Sequence, residues 1–162
     1  LALTSSIFKS GTAAIVLAGI AGAFFAGTIS DWVFKSRRPP VAFIGYFLQI
    51  ICLTIVWQAP GLNWVIAAFV VNSFAISIVH SMLSGTASMD FGGKKAAATA
   101  CGAFDGMQYI GGSFVGFGLG KLIDKFGWVV WGPSMIGFSM IGAVLMLILW
   151  NARPVAKSKS AH

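Results

Sequence analysis

Five apolar runs, each long enough to cross a lipid bilayer, constrain this chain more than any other feature. They cover about residues 11–29, 41–57, 62–83, 96–120 and 128–150. A span takes roughly 17–25 residues. Only 9% of the chain is charged and its mean hydropathy is +0.87, whereas soluble domains carry about 25% charged residues. Backbone amides in hydrocarbon must bond within their own segment or in a closed barrel. The runs are rich in Gly, Ala and Leu and lack the alternation of a barrel strand. The expected fold is therefore all-α, a polytopic transmembrane helix bundle over residues 11–150. A short extracytoplasmic lead over 1–10 and a basic, disordered cytoplasmic tail over 151–162 flank it.

The net charge of +7 does not call for nucleic acid, because no basic face or stacking platform accompanies it. The cations instead cluster between spans. Lys35, Arg37, Arg38, Lys94, Lys95, Arg153, Lys157 and Lys159 fall on one side; Lys9, Lys121 and Lys125 fall on the other. The positive-inside rule puts the first set and the C-terminus in the cytoplasm. The chain starts at Leu1 and has an odd number of spans, which reads as part of a longer protein. Cys52 and Cys101 both lie inside spans and read as small apolar residues. No metal-ligand cluster and no cofactor motif stands out.

Small residues recur every four positions in the first span: Ala18, Gly22 and Ala26, and Gly19, Ala23 and Gly27. That spacing lets helix backbones approach closely. Gly112, Gly116 and Gly120 read as a second such seam, and Gly137 and Gly142 as further packing sites. The third span carries Ser73, Ser77, Ser81 and Ser84 as a stripe, with Asn72 and His80 beside it. Such a stripe either bonds a neighbouring helix or lines a wet pathway. The fourth span places Asp105, Gln108, Tyr109, Gly112 and Gly116 on one face. A carboxylate in a membrane helix is by default a functional candidate. Residues 84–95 and 121–127 are expected to be loops. Between the first two spans lies GTISDWVFKSRRPP, residues 27–40. Its Asp31 can pair with Arg37 or Arg38, either as a latch between helices or as a solvated ion pair.

The Gly27-x-x-x-Asp31 pattern with its basic cluster resembles the loop motif of the major facilitator superfamily. The stretch from Asp90 through Gly102, DFGGKKAAATACG, is more telling. With Tyr109-Ile-Gly-Gly-Ser113 and Asp124-Lys-Phe-Gly-Trp128 it resembles the organophosphate:phosphate antiporter branch, which carries glycerol-3-phosphate, hexose phosphates and phosphoglycerate. The resemblance implies that the five spans are helices eight to twelve of a bacterial inner-membrane carrier. It implies exchange of a small organophosphate for inorganic phosphate by alternating access, with helices one to seven as the missing partner. The family's phosphate-binding arginines lie on the first and seventh helices, outside this sequence. Gly112 and Gly116 stand where some sugar-phosphate members carry an acid and a lysine, which argues against a hexose phosphate.

The substrate pathway is accordingly expected to involve Asp105, Gln108, Tyr109, Asn72 and His80. The cytoplasmic gate motif is Gly27, Asp31, Arg37 and Arg38. Enzymatic chemistry has little support. The sequence has no Glu, and Gly92-Gly-Lys-Lys lacks the first glycine and the Ser/Thr of a phosphate-binding loop. The alternatives are another carrier of the superfamily, for a sugar acid or a drug with proton coupling, and a membrane structural subunit.

Overall fold

The computed structural model describes residues 2–58 and 61–151, and of residues 2–10 and 91–95 the backbone alone. The basic tail with Arg153, Lys157 and Lys159 lies outside the described residues, as do Ala59 and Pro60. The described residues form five α-helices: α1 (Ala2–Trp32), α2 (Arg38–Gln58), α3 (Leu62–His80), α4 (Ala87–Phe126) and α5 (Trp131–Ile148). No strand occurs among the described residues. Four segments among them are long and apolar enough to span a membrane: Gly11–Trp32, Arg38–Gln58, Leu62–Asp90 and Trp128–Ile148. The fifth expected span lies within α4, the least apolar of the five helices. Its many glycines, together with Asp105, Gln108 and Tyr109, lower its hydropathy.

Four helices form a row in the order α1, α3, α2, α5. Missing side chains set its spacing. A Cβ on Gly22 of α1 would run into the Phe74 carbonyl of α3, and one on Gly19 would come within 3.1 Å of the Ser73 hydroxyl. On Gly45 of α2 it would stand 2.7 Å from Val79. The rings of Trp57 and Tyr46 lie against Gly132 and Gly142 of α5. In lipid, where apolar contact alone gives helices no reason to associate, such close approach is what drives packing. Gly137, also expected as a packing site, meets nothing within 4 Å. Large side chains such as Phe24, Trp32, Trp64, Phe114, Trp128 and Ile148 point outward. On a soluble protein they would be an aggregation surface; on a membrane bundle such a surface suits lipid or further helices.

The serine stripe resolves towards packing. Ser73 donates to the Ile15 carbonyl of α1 at 2.9 Å, and Ser81 donates to the Ala23 carbonyl at 3.4 Å. Hydrogen bonds of this kind in membrane helices average about 0.6 kcal/mol. Ser73→Ala is therefore expected to lower stability in detergent by no more than ~1 kcal/mol. A much larger loss in an unfolding titration would show that Ser73 does more than bridge two helices.

Two stretches expected as loops are helical. The lead continues α1, since no Pro or Gly interrupts residues 2–10. The supposed loop over 84–95 continues α3 through a π-type turn at Ser81–Thr86 straight into α4. Pro is absent there, and Ala and Lys at 94–98 favour helix. The supposed loop over 121–127 is the last turn of α4. That helix ends at Gly127, whose φ of 79° suits a glycine and whose N–H donates to the Ile123 carbonyl at 2.7 Å.

This long helical stretch nevertheless reverses direction. His80 and Gln108 are hydrogen-bond neighbours at 3.2 Å. A straight α-helix would hold residues 80 and 108 about 42 Å apart, at about 1.5 Å per residue. The chain must double back near the middle of that interval, where Gly92 and Gly93 form the kind of pair at which helices kink. The far half of α4 thus returns antiparallel to α3. It brings the start of α5 back to the end of α2, where Gly132 meets Trp57.

Candidate functional site

The turn from α1 to α2 builds an ionic node. Lys35 and Ser36 take left-handed backbone angles, with φ of 51° and 62°, a conformation that costs about 1–2 kcal/mol per residue without glycine. Local bonds hold it. The Ser36 N–H donates to the Ser30 carbonyl at 2.9 Å, and the Ser36 hydroxyl donates to Asp31 Oδ1 at 3.0 Å. The turn delivers Arg38 to the start of α2, just ahead of Pro39 and Pro40, which are tolerated in a first helical turn because no intrahelical amide bond is lost there.

Arg38 then joins three elements. Its Nη1 donates to Asp31 Oδ1 at 2.8 Å and to the buried Ser30 hydroxyl at 2.9 Å. Its Nε donates to Asp90 Oδ2, on α4, at 3.1 Å. Arg38 is 16% exposed and Asp90 21%, whereas Asp31 is 55% exposed. One guanidinium thus serves two carboxylates, and the Asp90 bond is the better shielded from water. Of the two arginines expected to pair with Asp31, Arg38 does so. Arg37 contributes its carbonyl, which accepts from Ser30 at 3.3 Å. Gly27 faces open space and takes no part. Asp90 was missed as a partner: its acidity was visible, but a contact across 52 positions leaves no local trace.

A second polar cluster links α3 to the returning half of α4. The Gln108 amide oxygen can only accept, so its bond to His80 requires the Nδ1–H tautomer. The Ser84 hydroxyl, 3.5 Å from Nε2, then serves as donor. One turn along α4, Asp105 Oδ2 accepts from the Cys101 thiol at 3.8 Å, while its Oδ1 is buried without a partner. Asn72 Oδ1, two turns before His80 on α3, is likewise buried and unpartnered. A buried carbonyl or carboxylate oxygen without a donor is costly, and both stand on the helices that the His80–Gln108 bond ties together.

Tyr109 does not join this cluster: it is 77% exposed. Gly112, Gly116 and Gly120 meet nothing within 4 Å, so the expected seam has no partner among the described residues. Cys52 and Cys101 are free thiols, and no group of three metal-ligating side chains occurs among the described residues.

No family model matches the chain, and no solved structure matches it. Curated proteins do. The chain is 29% identical to a probable hexose phosphate transport protein of Chlamydia trachomatis, over 90% of its own length and 32% of that protein's. It is 33% identical to the glycerol-3-phosphate transporter of Bacillus subtilis, over 83% of its length and 31% of that protein's. It is 29% identical to the membrane sensor protein UhpC of Escherichia coli, over 85% and 31%. The chain spans about a third of the length of these relatives. With its membrane-spanning helices, this is a relative of the organophosphate transporters of the major facilitator superfamily.

Proposed function

We propose that this chain is the C-terminal helical part of a secondary transporter that moves a small organophosphate in exchange for inorganic phosphate. It works by alternating access, together with helices that this sequence does not contain, in a bacterial inner membrane with its C-terminus cytoplasmic. The observation that carries this reading is the similarity, over most of the chain, to transporters of three-carbon and hexose phosphates. The ionic node supports it. Arg38 holds the end of α1 and the start of α4 to the start of α2, and such a clasp stabilises one of two conformations that differ by a few kcal/mol. In this reading Asp31 and Arg38 form the gate, with Arg37 in the connecting turn and Gly27 one helical turn before Asp31 on α1. Asn72, His80, Asp105 and Gln108 face the pathway, with Tyr109 at its edge.

Counterflow of labelled phosphate in vesicles holding the full-length protein tests the function. Phosphate trapped inside should accelerate uptake of an external organophosphate. Uptake driven by a proton gradient alone would instead point to another carrier of the superfamily. The relative named a membrane sensor favours a second reading, ligand binding without net movement; specific binding with no counterflow would select it. Within the exchange reading, Gln108→Ala removes one hydrogen-bonding group and is expected to raise the organophosphate KM by about three- to tenfold. If neither KM nor maximal rate changes, the His80–Gln108 bond serves packing only.

A further inference from the structure

Between the returning half of α4 and α5 lies a groove of about 510 Å³, its lining including Phe114, Gly118, Leu122, Ser134, Gly137 and Phe138. Two features set it apart from ordinary helix packing. Gly118 and Gly137, one on each wall, meet nothing within 4 Å. Facing glycines usually let helices close on each other, yet here the phenylalanines at 114 and 138 line a gap that stays open. The lining is also polarised. Its one hydroxyl, Ser134, belongs to the first turn of α5, at the end where α4 turns into α5.

Two lysines lie near that end. Lys125 lies three residues past Leu122 and seven past Gly118, so its backbone position extends the groove face of α4 by one turn. Lys121 flanks that face, its ammonium 4.4 Å above the ring of Phe117, which does not line the groove. The Lys125 ammonium lies 5.2 Å over the Phe126 ring. Asp124, the acid of the same turn, falls on the opposite side of the helix by its spacing. Trp128 follows, 77% exposed, of the residue type that sits at the level of lipid headgroups. An apolar trough thus opens at a cationic, hydroxyl-bearing mouth.

We propose that this groove binds one anionic phospholipid, its acyl chain lying between α4 and α5 and its phosphate at Lys125 and Lys121. The site is independent of the transport reading. It needs only a bilayer containing anionic lipid, to which each juxtamembrane lysine adds affinity.

Native mass spectrometry of the purified full-length protein, with phosphatidylglycerol or phosphatidylcholine added in equal amounts, tests it. The expected result is one retained lipid, with phosphatidylglycerol favoured by about tenfold. Lys121→Gln with Lys125→Gln should abolish the preference while a lipid is still retained. Gly137→Leu, which fills the trough, should remove the lipid whatever its headgroup. Gly118→Leu from the facing wall repeats that test should the first variant fail to fold. A protein that retains no lipid, or one whose lysine variant keeps its preference, overturns the site. So does a folded trough-filling variant that still holds the lipid.

Discussion

Arg38→Gln is expected to be the most damaging single change at the ionic node between α1, α2 and α4. It removes the cation from between Asp31 and Asp90, leaving Asp90, only 21% exposed, as an uncompensated carboxylate. Breaking a buried pair costs about 3–5 kcal/mol. The partial exposure of the carboxylates reduces this to roughly 2–3 kcal/mol, because solvent screens exposed pairs. The two acids are expected to rank by shielding. Asp90→Asn should cost more than Asp31→Asn, which loses a bond on a 55% exposed group. Thermal unfolding in detergent reads the stability. On the function proposed above, both Asp variants of the full-length protein should insert normally but exchange phosphate more slowly. Equal effects from the two would mean that α4 is not held at this node.

Gly22→Leu is expected to separate α1 from α3. Even the first carbon of the new side chain meets the Phe74 carbonyl, a backbone atom that cannot move aside without shifting its helix. Overpacking costs typically about 1–3 kcal/mol, and here the clash is with backbone, so the upper end applies. The bonds from Ser73 and Ser81 to the α1 carbonyls should be lost with it, visible as faster amide exchange along α1. Gly112→Leu is the matched control: nothing lies within 4 Å of that position, and leucine is the better helix former by about 1 kcal/mol. In this chain the substitution should be neutral or mildly stabilising. A severe defect confined to the full-length protein would place one of its other helices against α4.

Much of this molecule was legible in the chain. The apolar runs at 11–29, 41–57 and 62–83, and the run at 128–150 up to Ile148, lie within segments long and apolar enough to span a membrane, because hydrocarbon leaves the backbone almost no alternative to helix. The four-residue spacing of Gly22 and its neighbours foretold a close crossing. The motif around Asp31 foretold an ion pair, and the resemblance to phosphate-ester carriers agrees with the relatives found.

What the chain could not reveal was the partner of each group. Composition could not show that Arg38 rather than Arg37 takes Asp31, since a left-handed turn at Lys35 and Ser36 decides which guanidinium faces back. Nor could it show that the same Arg38 reaches Asp90, or that Ser73 and Ser81 of the serine stripe spend their hydroxyls on α1 carbonyls. The reversal itself was implied by two successive spans at 62–83 and 96–120, but the helical state of the stretch that joins them was hidden, because a loop and a bent helix can both carry glycines and lysines. Spans, seams and charged ends follow from interactions between near neighbours and the surrounding lipid, which the order of residues specifies directly. The pairing of Arg38 with Asp90, and of His80 with Gln108, depends on how whole helices are set side by side, and only the tertiary structure decides that.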